Sequence, residues 1–244
     1  MEKMKDLKSQ NISLTLEVQT SVYFIKKGIC ELKKTNIGFE EDYISLTLLS
    51  TGFERLMKCI VCLINYKKNN VYPPFNEILN LSHDLDKSRK MIIEYFDNKK
   101  YKNTIAKQRD IEFVKNNNQI LKFVSLLSDF GLGARYYNLD NVISNPKKGK
   151  NPRHTFDKLI NEIIDNNDEL KQIQSKISKG NFSESNDLDT KLIHELTILI
   201  ERFARALSRL FTLGDLDKTM SGVVSCFFLM DNDLGKANYC KKID

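Results

Sequence analysis

The whole chain holds three histidines, so any histidine-dependent proton transfer must use His83, His154 or His194. His83 lies in Leu81-Ser-His-Asp-Leu85 at the expected start of a helix. There Ser82 or Asp84 can serve free backbone N–H groups, and His83 can make an ordinary local bond. On those residues alone, a structural role is the leading reading. His154 follows Arg153 at the end of the run Asn145 to Arg153, which combines two prolines, one glycine and four cations without a carboxylate. In that setting it can meet phosphate or simply be solvated. His194-Glu195 lacks the second histidine of a zinc-protease helix. Cys59-x-x-Cys62 has the spacing of a metal or redox pair, but it falls in an apolar stretch with no second pair or nearby histidine, and core packing is its expected role. Neither a metal nor a cofactor is expected.

A second group of residues could bind rather than react. Arg202, Arg205 and Arg209, at spacings of three and four, share one helical face opposite an apolar stripe of Leu192, Leu196, Leu199, Phe203 and Leu210. Together with Lys147, Lys148, Lys150 and Arg153 this ridge could neutralise several phosphates and give salt-sensitive nucleic-acid binding. The plainer reading is a solvated face, because Glu201 is interleaved and 38 Lys+Arg against 32 Asp+Glu leave a formal charge of only +6 over 244 residues. Phosphate-binding glycine loops of the GxxxxGK and GxGxxG types and a nucleophile elbow are absent, which removes weight from the common nucleotide and hydrolase folds.

Helices must position these residues. Only 4 prolines and 10 glycines punctuate the chain, and alternating patterns are few, so an all-α bundle is expected. Val18, Val22, Ile25, Ile29 and Leu32 mark a first helix within about Leu14 to Lys34. Leu46, Leu49, Phe53, Leu56, Ile60 and Leu63 mark a second one after Gly38, with Glu54 and Lys58 one turn apart and off its main stripe. Pro73 and Pro74 end it. A third helix is predicted within Asn76 to Phe96 and a fourth over Thr104 to Asp129, closed by Gly131 and Gly133. Residues 146–153 form the best linker, separating a bundle over 1–145 from a helical part over 154–244 that packs on it. The second part should carry helices over Thr155 to Ile177, Leu188 to Leu213 and Asp217 to Met230. Five cysteines in apolar stretches suggest buried thiols rather than a disulfide framework. The longest uncharged stretch, Thr219 to Met230, is short of the roughly 20 apolar residues of a membrane span, and the charged N-terminus leads into no signal core. A cytoplasmic protein with no membrane association is the default.

Three stretches, in order, resemble the HEPN superfamily (higher eukaryotes and prokaryotes nucleotide-binding) of small helical domains. Leu48-Leu-Ser-Thr-Gly-Phe-Glu-Arg-Leu-Met-Lys58 is similar to its core helix with a glutamate and a lysine one turn apart. Leu81-Ser-His-Asp-Leu85 is similar to its Gly-His-Asp-Leu segment, and Ala134-Arg-Tyr-Tyr137 to its Arg-Tyr after a loop. The resemblance covers roughly residues 15–145. It implies metal-independent RNase chemistry in a dimer, as in bacterial defence and toxin–antitoxin systems. In such chemistry an arginine stabilises the developing phosphorane charge and a histidine four to six residues later moves a proton. Arg135 matches the arginine, but Tyr136 to Val142 contain no histidine. His83, Glu54 and Asp140 are the residues left to complete a catalytic set, and Arg135 pairing with Glu54 as a loop brace is the plain alternative. The expectation is an RNA-directed, dimeric protein of a defence or toxin-type system, ahead of cleavage by an atypical site, with a protein partner from the same system. The alternative is a non-catalytic helical interaction or oligomerisation protein.

Overall fold

A computed structural model of the chain describes residues 2–34, 39–97, 104–144, 150–213 and 216–240, and among them it is all-α, with helices and short 3-10 turns and no strand. α1 (Glu2–Leu32) and α2 (Phe39–Asn69) form a long antiparallel pair. Their predicted stripes, from Val18 to Leu32 and from Leu46 to Leu63, are buried in the core. Two glycines set the spacing of this pair. A Cβ at Gly28 would fall 2.6 Å from Leu49 Cγ, and one at Gly52 would fall 2.9 Å from the backbone nitrogen of Ile25. Ser45 Oγ donates to the Gly28 carbonyl across the seam.

Asparagines divide the longer predicted helices. The segment expected as one helix over Thr104 to Asp129 is α5 (Ile105–Asn116) and α6 (Asn118–Leu132), because Asn117 adopts extended backbone and its side chain accepts the Ile120 N–H. In the same way Asn167 accepts the N–H groups of Glu169 and Leu170, and Thr155 to Ile177 becomes α8 (Pro152–Asp165) and α9 (Asp168–Ser178). An asparagine that can serve free N–H groups starts a new helix as readily as it continues an old one. Between Asn76 and Phe96 lie α3 (Phe75–Leu79), a turn, and α4 (Leu85–Asp97). α7 (Tyr137–Val142) follows α6, and α10 (Ser185–Thr212) is the long helix of the second half.

The expected helix over Asp217 to Met230 is replaced by a 3-10 turn, the single turn α11 (Ser221–Val224) and a second 3-10 turn. Ser221 and Ser225 hydroxyls donate to the carbonyls of Lys218 and Gly222, a local bonding that competes with a continuous helix. The chain then runs across α1 and α10. Lys33 Nζ donates to the carbonyls of Gly235 and Ala237, and a carboxylate oxygen of Glu201 accepts the Gly235 N–H.

One buried cluster joins residues from both sides of segment 145–149. At its centre Phe53 of α2, Phe123 of α6 and Phe203 of α10 meet with ring centroids 4.9 to 6.4 Å apart. Cys30 and Cys240 form a disulfide, which corrects the expectation that every cysteine is a buried thiol; the pairing joins α1 to the far end of the chain and has no local sequence signature. Cys59, Cys62 and Cys226 are free, and burial pushes the thiols of Cys62 and Cys226 up to about 11 and that of Cys59 higher still, so all three are protonated and inert at neutral pH. Among the described residues no group of His, Cys, Asp or Glu could hold a metal ion. No helix among them is long and apolar enough to cross a membrane.

Candidate functional site

Glu54 occupies the face of α2 that is turned toward the loop preceding α4. Its Oε1 accepts Lys58 Nζ at 2.7 Å, and its Oε2 lies 2.8 Å from His83 Nδ1. The carboxylate is sheltered, with 15% of its side chain exposed, whereas the His83 side chain is 46% exposed. A carboxylate on Nδ1 fixes the ring and leaves Nε2 as the nitrogen able to exchange a proton with a ligand. The loop itself is held firmly. Ser82 takes a left-handed conformation (φ 49°), Asp84 accepts the Lys87 N–H, and the Leu85 N–H donates to Ser128 of α6, which in turn donates to the Val124 carbonyl. Gly131 lies beneath the histidine inside α6, where a Cβ would come 2.8 Å from His83 Cβ. Gly131 is thus a point of close approach rather than the expected helix stop, which is Gly133 alone, at φ +133°.

Arg135 stands in the 3-10 turn Ala134–Tyr136 just beyond that stop. Tyr43 of α2 fixes the turn: its ring meets Phe130 edge-on with centroids 5.0 Å apart, and its hydroxyl donates to the Arg135 carbonyl. Burial pushes the Tyr43 phenol up, opposed by the Arg135 charge, so it remains a donor. The guanidinium sits 5.1 Å from the centre of the Tyr136 ring and forms no ion pair with a described residue. The brace between Arg135 and Glu54 does not form, because both Glu54 oxygens are engaged by Lys58 and His83. Instead Glu54, His83 and Arg135 line one hollow of about 230 Å³, floored by Phe130 and Gly131.

Two further hollows continue from it. Arg135 also lines one of about 360 Å³ with Tyr43, Tyr137, Asn138, Asn151 and Arg153. Asn151 in turn lines the next, of about 480 Å³, with Lys122, Asp129, Lys150, His154 and Lys158. The start of α8 shapes this end: Asn151 caps it by accepting the Arg153 N–H, and Pro152 occupies the first turn. Lys150 reaches Asp129 at 3.3 Å, and Lys122 pairs with Glu162. Of the residues predicted for a site, the fold therefore brings Glu54, His83, Arg135, Lys150, Arg153 and His154 along one connected strip. Asp140, on α7, lines none of the three hollows. Lys147 and Lys148 lie outside the described residues. Sequence reasoning missed Tyr43, Lys122 and Lys158; for Asn151 the signal was legible, an asparagine directly before proline at a helix start.

The three arginines of α10 do not form an open ridge. Arg205 is 6% exposed, reaching the Leu229 carbonyl at 3.0 Å and Asp231 at 2.8 Å, and Arg209 holds both oxygens of Asp110 at 3.0 and 2.8 Å. Only Arg202 remains largely open, its guanidinium 4.3 Å above the Phe113 ring. α10 is covered on this side too, by α5 and by the C-terminal segment, which one amphipathic stripe could not disclose.

Comparison with protein-family models, with curated proteins and with solved structures returned no match.

Proposed function

We propose that this chain is an RNA-binding protein of HEPN-like type that cleaves the bound strand at the Glu54–His83–Arg135 hollow. One observation carries the reading: a histidine oriented by a buried carboxylate and an arginine without an ion-pair partner among the described residues line the same small hollow, at one end of a basic strip. In this scheme the ribose 2′-hydroxyl attacks the neighbouring phosphorus after giving its proton to His83 Nε2, with Glu54 stabilising the imidazolium. Arg135 donates to the non-bridging oxygens as charge builds on them. The 5′-oxygen leaves and takes a proton from water, and the His83 imidazolium returns its own to solvent, giving a 2′,3′-cyclic phosphate and a 5′-hydroxyl end. His83 thereby does the work of the histidine missing after Arg135. Arg153, Lys150, Lys122 and Lys158 supply the sequence-independent grip on phosphates. The bacterial defence or toxin-type setting follows from the family resemblance.

A second reading, a non-catalytic interaction or oligomerisation protein, has its own observation. α7 and the residue after it present exposed Leu139, Val142 and Ile143, with Val142 80% exposed. An apolar patch beside Arg135 suits pairing with a second copy or with a protein from the same system.

The test is incubation of a mixed RNA pool with wild type, Arg135→Ala and His83→Ala in EDTA, following cleavage and retention together. Cleavage that both substitutions lower by about 10²-fold or more, with cyclic-phosphate ends, is the expected result. Retention without cleavage in wild type would leave a binding protein, and neither at low salt would favour the interaction reading.

A further inference from the structure

A second cleft, sharing no lining residue with the strip, opens between α5 and α10. Two adjoining hollows of about 370 and 750 Å³ have Arg109, Phe113 and Arg202 in common. The deeper one is walled by four guanidiniums, Arg109, Arg202, Arg205 and Arg209, against two carboxylates, Asp110 and Asp231. Both carboxylates are already engaged, Asp110 by Arg209 and Asp231 by Arg205. Arg109 and Arg202 form no ion pair with a described residue, so two guanidiniums face one cleft without a carboxylate in contact, and four arginines against Asp110, Asp231 and Glu112 leave it net positive. The remaining carboxylate, Glu112 in the outer hollow, accepts from the Asn116 amide at 2.7 Å.

The arrangement is built rather than incidental. Contact with Phe113, 4.3 Å from the ring centre to the guanidinium carbon, restrains the Arg202 fork, which can make bidentate contact with an oxyanion. Arg205, almost wholly buried, is fixed in the wall by the Leu229 carbonyl and Asp231. Burial and the adjacent Arg205 charge hold Arg202 below its ordinary pKa, against the opposing pull of Asp231 and Asp110. A monovalent ion would engage only one of the two unpaired guanidiniums, whereas a di- or triphosphate offers separate oxyanions to both. We propose that the α5–α10 cleft binds the di- or triphosphate group of a small molecule.

The full-length chain is titrated calorimetrically with inorganic tripolyphosphate and with ATP, in wild type, Arg109→Gln, Arg202→Gln and Arg135→Ala. Expected are saturable binding near one equivalent, a loss of tenfold or more in affinity for each cleft substitution, and a change within twofold for Arg135→Ala. Both cleft residues are exposed, and matching circular dichroism spectra would verify folding. ATP binding more tightly than tripolyphosphate would add a nucleoside contact to the site, and equal affinities would leave the phosphate chain alone as the recognised group. No saturable binding to folded wild type, or unchanged affinity in Arg109→Gln and Arg202→Gln, would overturn the proposal. So would the finding that RNA lacking a terminal triphosphate, rather than either probe, loses affinity in those variants. The RNA reading stands or falls separately, on Arg135→Ala and His83→Ala.

Discussion

At the scale of single residues, the placement of His83 depends on neighbours that the proposed reaction does not itself use. Glu54 holds the imidazole with one oxygen while Lys58, one turn along α2, holds the other, so the carboxylate is fixed from both sides. Gly131 gives the ring its position by yielding space beneath it. Gly131→Ala places a methyl group 2.8 Å from His83 Cβ, and that loop, fastened to Ser128, cannot shift without losing hydrogen bonds. We expect this variant to remain helical, to lose about 1–3 kcal/mol of stability from overpacking, and to lose cleavage by tenfold or more while retaining RNA on the strip. Urea denaturation beside the cleavage assay checks it; unchanged cleavage would remove His83 from the reaction.

At the scale of elements, the segment after α11 is fastened to the bundle by polar groups rather than by a helix of its own. Glu201 of α10 is the inner anchor. Burial raises its pKa above the ordinary 4.5, opposed by the Gly235 N–H and by Lys33. The folded chain therefore holds a proton there more tightly than the unfolded chain does, and stability must fall as pH rises from about 4.5 through the raised value. Asp110 is shifted in the same direction by burial and adds to the slope. Glu201→Gln keeps an acceptor for the Gly235 N–H but cannot ionise. In urea midpoints measured from pH 4 to 8, the variant should show a smaller decline with pH than wild type and gain relative stability toward pH 8. An identical pH dependence would mean that Glu201 titrates normally.

For the molecule as a whole, the decisive covalent feature is the link between Cys30 and Cys240, which ties α1 to the chain's end across 210 residues of sequence. Closing so long a loop restricts the unfolded ensemble, by about 2–5 kcal/mol in the chain-entropy view. Reduction, or Cys240→Ser, should lower the melting temperature by roughly 5–15 °C. Alkylation of the denatured chain should count three thiols before reduction and five after it. Five before reduction would show the two cysteines to be unpaired. The bond lies on the side of α1 where Lys33 grips Gly235 and Ala237, so its opening should loosen the C-terminal segment before the central cluster of Phe53, Phe123 and Phe203.

The helical class and the core-facing residues were legible in the sequence because apolar spacing near 3.6 residues leaves a helix one way to hide its stripe; Val18 to Leu32 and Leu46 to Leu63 were read correctly for that reason. Glu54 and Lys58, one turn apart, could likewise be placed on one face, whereas the expected brace between Arg135 and Glu54 does not form. Helix ends at Asn117 and Asn167 were missed, since an asparagine's preference for capping over continuing is settled by what the next turn packs against. The sequence also could not distinguish a solvated arginine face on α10 from a covered one, because the covering Asp110 and Asp231 come from distant segments. Tertiary structure alone decided that Cys30 meets Cys240 and that His83, 52 positions before Arg135, shares its hollow. The reason is physical: periodicity reports what one helix must do with its own surface, whereas the meeting of polar groups from separate helices is fixed by the packing angles of the whole core.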